Sequence, residues 1–283
     1  MMLRKSIYKS PAQLRSMVEP GRITAAALEA LRPLVRAGVS TAELDAEASR
    51  VIIARGAESN FKLVRGYRHT TCISVNEEVV HGIPGDRVLQ PGDIVSVDCG
   101  AQFQGWNGDS AVTFIVPGDA PSDVLARRQE LSRVTNGSMW AGIAAMASAS
   151  HIGDIGAAIQ DYVEAQGPSV VSGESYGILR EYVGHGIGRK MHEAPSVFNY
   201  RTPDAGAEIR PGLALAIEPM LTAGGEATFV EDDDWTVSTV DGSDGCHWEH
   251  SVARHENGIW VLTAPDGGAA GLAPFGVTPT PIA

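Results

Sequence analysis

The sequence predicts an α+β fold of two halves related by a pseudo-twofold, with helices packed on a central antiparallel sheet. Three observations predict it. The chain opens with two helical patterns followed by strand patterns, the same order returns after residue 122, and carboxylates recur at matching points of the two halves. With 283 residues, 43% of them hydrophobic, the chain is long enough for a sizeable buried core. A net charge of −12 argues against an extended nucleic-acid or anionic-membrane footprint, since phosphate binding relies on clustered Lys and Arg.

Residues 11 to 37 carry apolar side chains at helical spacing, with Pro11 at a first turn and Gly38 as a stop. A second helix runs from Thr41, with a serine or threonine cap and an acidic first turn, to Gly56. An irregular stretch leads to the strand-like Thr71-Cys-Ile-Ser-Val and the turn-like His81-Gly-Ile-Pro-Gly-Asp86. Asp93 to Phe114 then reads as a hairpin, its arms rich in β-branched residues and its middle punctuated by glycine and asparagine. With the reversal at Phe103 and Gln104, position i faces position 207 − i, so Asp98 faces Asp109. Like charges directly opposed in a ladder are destabilising, so the pair calls for a cation or a shared proton; two solvated carboxylates on an exposed face are the other reading of the hairpin alone.

The second half repeats the first. Residues 122 to 147 are helical in pattern, Ser150 to Gly167 answers Ser40 to Gly56, and His192-Glu-Ala-Pro195 echoes His81-Gly-Ile-Pro84. Arg210-Pro-Gly to Glu218 echoes Gln90-Pro-Gly to Asp98, and the strand His247-Trp-Glu249-His-Ser-Val-Ala takes the role of Asp109-Ser-Ala-Val. Glu231-Asp-Asp-Asp-Trp235 fills the longer second connection as a surface loop anchored by its tryptophan. Half-repeats of about 11–117 and 122–263 would thus form one domain over residues 1–263 and pool Asp98, Asp109, Glu218 and Glu249, more charge than one bare ion needs. The Pro/Gly/Ala-biased segment 264–283 is expected to be a disordered tail.

In Gly184-His185-Gly-Ile-Gly the glycines let the backbone bend closely around a site, and His185 offers a nitrogen donor to complement an oxygen-rich cluster. The spacing is not that of a dinucleotide loop, and no strand-then-helix pattern frames it. Cys72, Cys99 and Cys246 are odd in number and far apart, so reduced thiols are expected rather than a disulfide framework or a zinc knuckle. His69, His151, His247, His250 and His255 are read as surface or structural. The N-terminus has positive charge without an apolar run of signal-peptide length, and no stretch is long enough to span a bilayer, so a cytoplasmic location is expected.

Val75-Asn-Glu-Glu-Val-Val-His-Gly-Ile-Pro84, Asp93 to Asp98, Gly108-Asp-Ser110, Gly184 to Glu193, Ile217-Glu-Pro-Met220 and Trp248-Glu-His250 together resemble type I methionine aminopeptidases, of the pita-bread fold. The resemblance covers residues 8 to 263. It implies two divalent ions per chain (cobalt, manganese, iron, zinc or nickel) held by Asp98, Asp109, His185, Glu218 and Glu249, with Asp109 and Glu249 bridging. It implies that His81 and His192 contact the scissile peptide and that Tyr67, Cys72, Met191 and Trp235 line the pocket for the methionine side chain. Met191 stands where many relatives carry an aromatic, and Gly66-Tyr67-Arg68-His69 lacks a common Gly-Phe-Pro-like run.

The reaction implied is removal of the initiator methionine from nascent chains whose second residue is small. Divalent ions lower the pKa of a water toward neutrality. Glu218 would shuttle the proton to the departing amine, His192 would stabilise the oxyanion, and His81 the side of the peptide nitrogen. A monomer is expected, with a transient ribosome contact and no nucleic-acid or membrane partner. Two alternatives share the motifs: an X-Pro peptidase of the prolidase or aminopeptidase P type, and a non-catalytic binding module on the same fold.

Overall fold

Serine caps start the first two helices. The Ser10 hydroxyl accepts from the Gln13 amide while the Gln13 side chain accepts from the Ser10 N–H, and Ser40 and Glu43 repeat this capping box. Each cap contributes about 1 kcal/mol. In the computed structural model, which describes residues 6–169, 173 and 175–283, they open α1 (Pro11–Leu31) and α2 (Thr41–Ala54). Three short strands follow, β1 (Glu58–Ser59), β2 (Thr71–Val75) and β3 (Glu78–Val80), and then the long hairpin of β4 (Ile94–Phe103) and β5 (Trp106–Ile115).

The second half opens with α3 (Ser122–Met146) and α4 (Gly153–Ala165). Its strands are β6 (Gly177–Ile178), β7 (Gly184–Gly186), β8 (Glu193–Val197), β9 (Ala214–Ile217), β10 (Met220–Thr222), β11 (Thr228–Val230), β12 (Val237–Thr239), β13 (Gly245–His247), β14 (His250–His255) and β15 (Gly258–Val261). A short helix α5 (Ala269–Leu272) follows. The strands form ladders ordered β1-β4-β2 with β5 on β4, β13-β10-β6, β11-β12-β3, and β15-β14-β9-β7-β8. The halves join where Ala111 of β5 and Glu249 exchange backbone hydrogen bonds of 3.0 and 3.3 Å.

Each half has its own apolar core between helices and sheet. Leu31, Leu44 and Ile52 pack with Val95 and Val97 in the first, and Met139, Ile143, Ile155 and Ile159 pack with Leu215, Ile217 and Val252 in the second. Burying one such side chain stabilises the fold by about 1.5–3 kcal/mol. Along β4 the side chains of Val95, Val97 and Cys99 enter the first core, so Asp98 takes the opposite face. No helix among the described residues is long and apolar enough to cross a membrane. Residues 1–5, part of the segment read for a leader, lie outside the described residues.

Three expectations change in detail. The hairpin turns at Gln104-Gly105, whose φ values of 50° and 72° suit a primed two-residue turn, so Asp98 pairs with Ala111 and Asp109 with Gly100. The register is shifted by two, which preserves the face each side chain occupies, so the aspartates are diagonal neighbours rather than directly opposed. The strand expected from His247 onward breaks at Trp248 and Glu249, where the Trp248 indole donates to Ser132 Oγ at 3.1 Å.

The segment 264–283 packs against the domain, contrary to the expectation of disorder. Leu272 is fully buried in the second core, the Thr280 amide donates to Ile259 O at 3.0 Å, and His255 Nε2 donates to Thr280 O at 2.8 Å. Its composition is poor in large apolar residues, but Leu272, with Phe275, Val277 and Ile282 packed against the cores and a few backbone hydrogen bonds, docks it on an existing surface.

Candidate metal centre

Strands of both halves converge on one cavity of about 540 Å³. Asp98 enters from β4, Asp109 from β5, His185 from β7, Glu218 from just past β9 and Glu249 from just before β14. The pairing of His250 with Ile217 sets Glu249 and Glu218 at adjoining positions, and the pairing of His185 with Ala216 brings the imidazole to the same edge. Gly184 and Gly186 make that approach feasible: a Cβ on them would lie 2.5 Å from Ala216 O and 2.2 Å from Ala194 O. Asp109 is held by its backbone, its N–H donating to Ser251 Oγ and its carbonyl accepting from the same hydroxyl at 2.8 Å.

One donor atom each from Asp109, His185 and Glu249 lies within 4.8 Å of the others, and His185 Nε2 is 3.3 Å from Glu218 Oε1. Asp98 Oδ1, Asp109 Oδ1 and Glu249 Oε1 are buried without a hydrogen-bond partner. Each such atom costs about 1–3 kcal/mol, and more when charged, so three around one cavity point to a group that satisfies them together. Burial pushes all four carboxyls up: Asp98 to about 8, Asp109 further raised by Asp98 and Glu218, Glu218 by Asp98, and Glu249 by Asp109, Glu218 and Asp98.

The donor set fits hard or borderline divalent ions: four carboxyls and one imidazole. His185 Nδ1 donates to Gly186 O at 3.0 Å, which leaves the Nε2 lone pair free as a ligand. Burial and the neighbouring His192 lower the His185 pKa to about 4, so the ring is neutral near pH 7.

His81 and His192 stand on the rim of the centre. His81 has φ 62°, a left-handed conformation uncommon outside glycine, and its ring meets Tyr182 edge-on with centroids 5.3 Å apart. His192 stacks edge-on against His185 at 4.4 Å. Burial, with His192 as second cause, lowers the His81 pKa to about 4, and burial lowers that of His192, so both rings can donate a neutral N–H.

The far end of the cavity is apolar. Phe61, Tyr67 and Cys72 cluster there with Val64, Met191 and Trp235, and Tyr67 meets Trp235 edge-on at 4.9 Å. Every site residue named from the sequence lines this cavity. Phe61, Val64, Tyr182 and Met220 line it as well and were missed; apolar and aromatic side chains are common in any core, so they carry no sequence signal of their own. His247, read as surface or structural, is 2% exposed and its Nε2 lies 3.8 Å from Glu218 Oε2. Its one signal is its place two residues before Glu249, on a strand period.

The sequence profile of metallopeptidase family M24 matches residues 15–256. The chain is 43% identical over 257 residues to methionine aminopeptidase 1 of Bacillus subtilis, covering 91% of this chain and 98% of that one. It is 44% identical over 256 residues to methionine aminopeptidase 1 of Mycobacterium tuberculosis, covering 90% and 94%. A crystal structure of methionine aminopeptidase from Thermotoga maritima superposes with TM-score 0.83 and 39% identity, covering 93% of this chain and 99% of that one. Prolidase from Pyrococcus furiosus shares the fold at TM-score 0.68 and 19% identity, covering 91% of this chain and 65% of that one. The chain belongs to metallopeptidase family M24, and its pita-bread fold is the one the resemblance implied.

Proposed function

We propose that this protein is a methionine aminopeptidase that removes the initiator methionine from nascent proteins and peptides when the second residue is small. The observation that carries the reading is the junction of two environments in one cavity, an oxygen-rich donor set with orphaned carboxylate atoms and an apolar end lined by Phe61, Tyr67, Cys72, Met191 and Trp235. Asp98, Asp109, His185, Glu218 and Glu249 would hold two divalent ions of cobalt, manganese, iron, zinc or nickel. When bound, the ions supply the Lewis acidity that brings a water's pKa toward neutrality.

The chain's own residues do the rest. Tyr67, Cys72, Met191 and Trp235, with Phe61 and Val64, enclose the methionine side chain. Glu218 takes the proton from the attacking water and returns it to the departing amine. His192 donates to the developing oxyanion and His81 to the side of the peptide nitrogen. Residues 1–263 act as one domain of two half-repeats, in the cytoplasm and as a monomer, on chains presented at the ribosome.

Identities of 43% and 44% to methionine aminopeptidases, against 19% to a prolidase, favour this over X-Pro cleavage. The test is hydrolysis of Met-Ala-Ser with added Mn²⁺ or Co²⁺, alongside a Gly-Pro control. Release of methionine with Gly-Pro left intact is expected. Cleavage of Gly-Pro alone would favour the prolidase reading, and no release with any divalent metal would favour a binding module.

A further inference from the structure

His247 ends β13, paired with Met220 of β10 and almost wholly buried. Its backbone is engaged on both sides: the amide donates to Ser96 Oγ at 3.0 Å, and the carbonyl accepts from Thr113 Oγ1 at 2.6 Å. The residue is therefore fixed by strand and hydroxyl contacts whatever its side chain does. The side chain is not accounted for by these contacts, since its buried Nε2 has no hydrogen-bond partner.

That nitrogen faces Glu218 Oε2 at 3.8 Å, while Glu218 Oε1 lies 3.3 Å from His185 Nε2. The two oxygens of one carboxyl are thus divided between two imidazoles. His247 Nε2 also shares its orphaned state with Asp98 Oδ1, Asp109 Oδ1 and Glu249 Oε1, all three at the donor set. His247 does not line the cavity itself; it reaches the site through Glu218.

We propose that His247 is the positioning residue of Glu218, its Nε2–H donating to Oε2 so that Oε1 is kept for the ions and for the reacting water. The inference rests on the aminopeptidase reading above. A distance of 3.8 Å exceeds a hydrogen bond of about 2.7–3.2 Å, and closing it needs a side-chain shift of only about 1 Å, as such contacts tighten when a site is loaded. A carboxyl that both ligates and carries a proton must keep its two oxygens distinct, and a fixed donor on one oxygen does this.

The experiment compares His247→Gln with His247→Asn. Glutamine carries its amide nitrogen at the reach of Nε2, whereas asparagine reaches only as far as Nδ1. His247→Gln is expected to keep wild-type Co²⁺ affinity and kcat. His247→Asn is expected to lose about 10- to 100-fold in both Co²⁺ affinity by calorimetry and kcat on Met-Ala-Ser, with KM held within about twofold. Wild-type behaviour of His247→Asn, or an equal fall in both variants, overturns the proposal.

A second measurement needs no variant. Long-range ¹H–¹⁵N spectra of the Zn²⁺-loaded protein are expected to show His247 as the neutral Nε2–H tautomer, and an unprotonated Nε2 overturns the proposal. Wild-type protein that neither binds Co²⁺ nor releases methionine would sink the aminopeptidase reading itself, whichever way the two variants compare.

Discussion

Ala111 of the first half and Glu249 of the second donate backbone N–H groups to each other's carbonyls, at 3.3 and 3.0 Å. This reciprocal pair locks the halves in the register that sets Asp109 and Glu249 at one cavity, together with His185 within 4.8 Å. The candidate metal centre is therefore a property of the junction, and neither half supplies its donor set alone.

Asp109→Asn removes one charge while Ser251 still holds the backbone at that position. The variant should fold, with an unfolding midpoint near that of the metal-free wild type, and elemental analysis should find metal content well below the wild-type value. Normal occupancy would refute the bridging role.

His81→Ala should leave metal content intact, since no carboxyl of the centre is hydrogen-bonded to that ring among the described residues. Turnover of Met-Ala-Ser should fall by about 10²–10³, the usual loss when one transition-state donor is removed. Loss of metal on substitution would move His81 into the ligand set.

Metal affinity should weaken as pH falls. The Asp98 carboxyl, raised by burial from its usual range to about 8, carries a proton below that pH which an incoming cation must displace, and Asp109, Glu218 and Glu249 are raised in the same sense. His185, lowered to about 4, adds little competition above pH 5. Calorimetry in buffers of different ionisation enthalpy should therefore show protons released on Co²⁺ binding, with Kd tightening from pH 6 to pH 8. A Kd independent of pH over that range would contradict the raised carboxyls.

Leu272→Ala tests the docking of the C-terminal segment. A fully buried leucine cut to alanine destabilises by about 2–5 kcal/mol, so the urea midpoint should drop clearly. An unchanged midpoint would mean that residues 264–283 do not pack on the domain.

Much of this architecture was legible because it rests on parity and repetition. Asp98 and Asp109 share a face under any even shift of register, so their convergence survived a misplaced turn. The turn lies one residue beyond the Phe103-Gln104 reversal expected from the sequence, because Gln104 and Gly105 supply the two positive φ values that a primed turn needs. Glu218 and Glu249 were legible from the internal repeat. His247 was not, since its approach to Glu218 depends on the pairing of β10 with β13, a tertiary contact with no local pattern. The C-terminal segment was misjudged for a similar reason, its docking resting on a few scattered apolar side chains, Leu272, Phe275, Val277 and Ile282, and on backbone contacts rather than on overall composition.

The most direct test of the central claim is anomalous diffraction at the cobalt edge from crystals grown with Co²⁺. Two peaks are expected in the cavity, within ligating distance of the set Asp98, Asp109, His185, Glu218 and Glu249. Peaks confined to the surface, or a cavity without cobalt beside those carboxyls, would contradict the account.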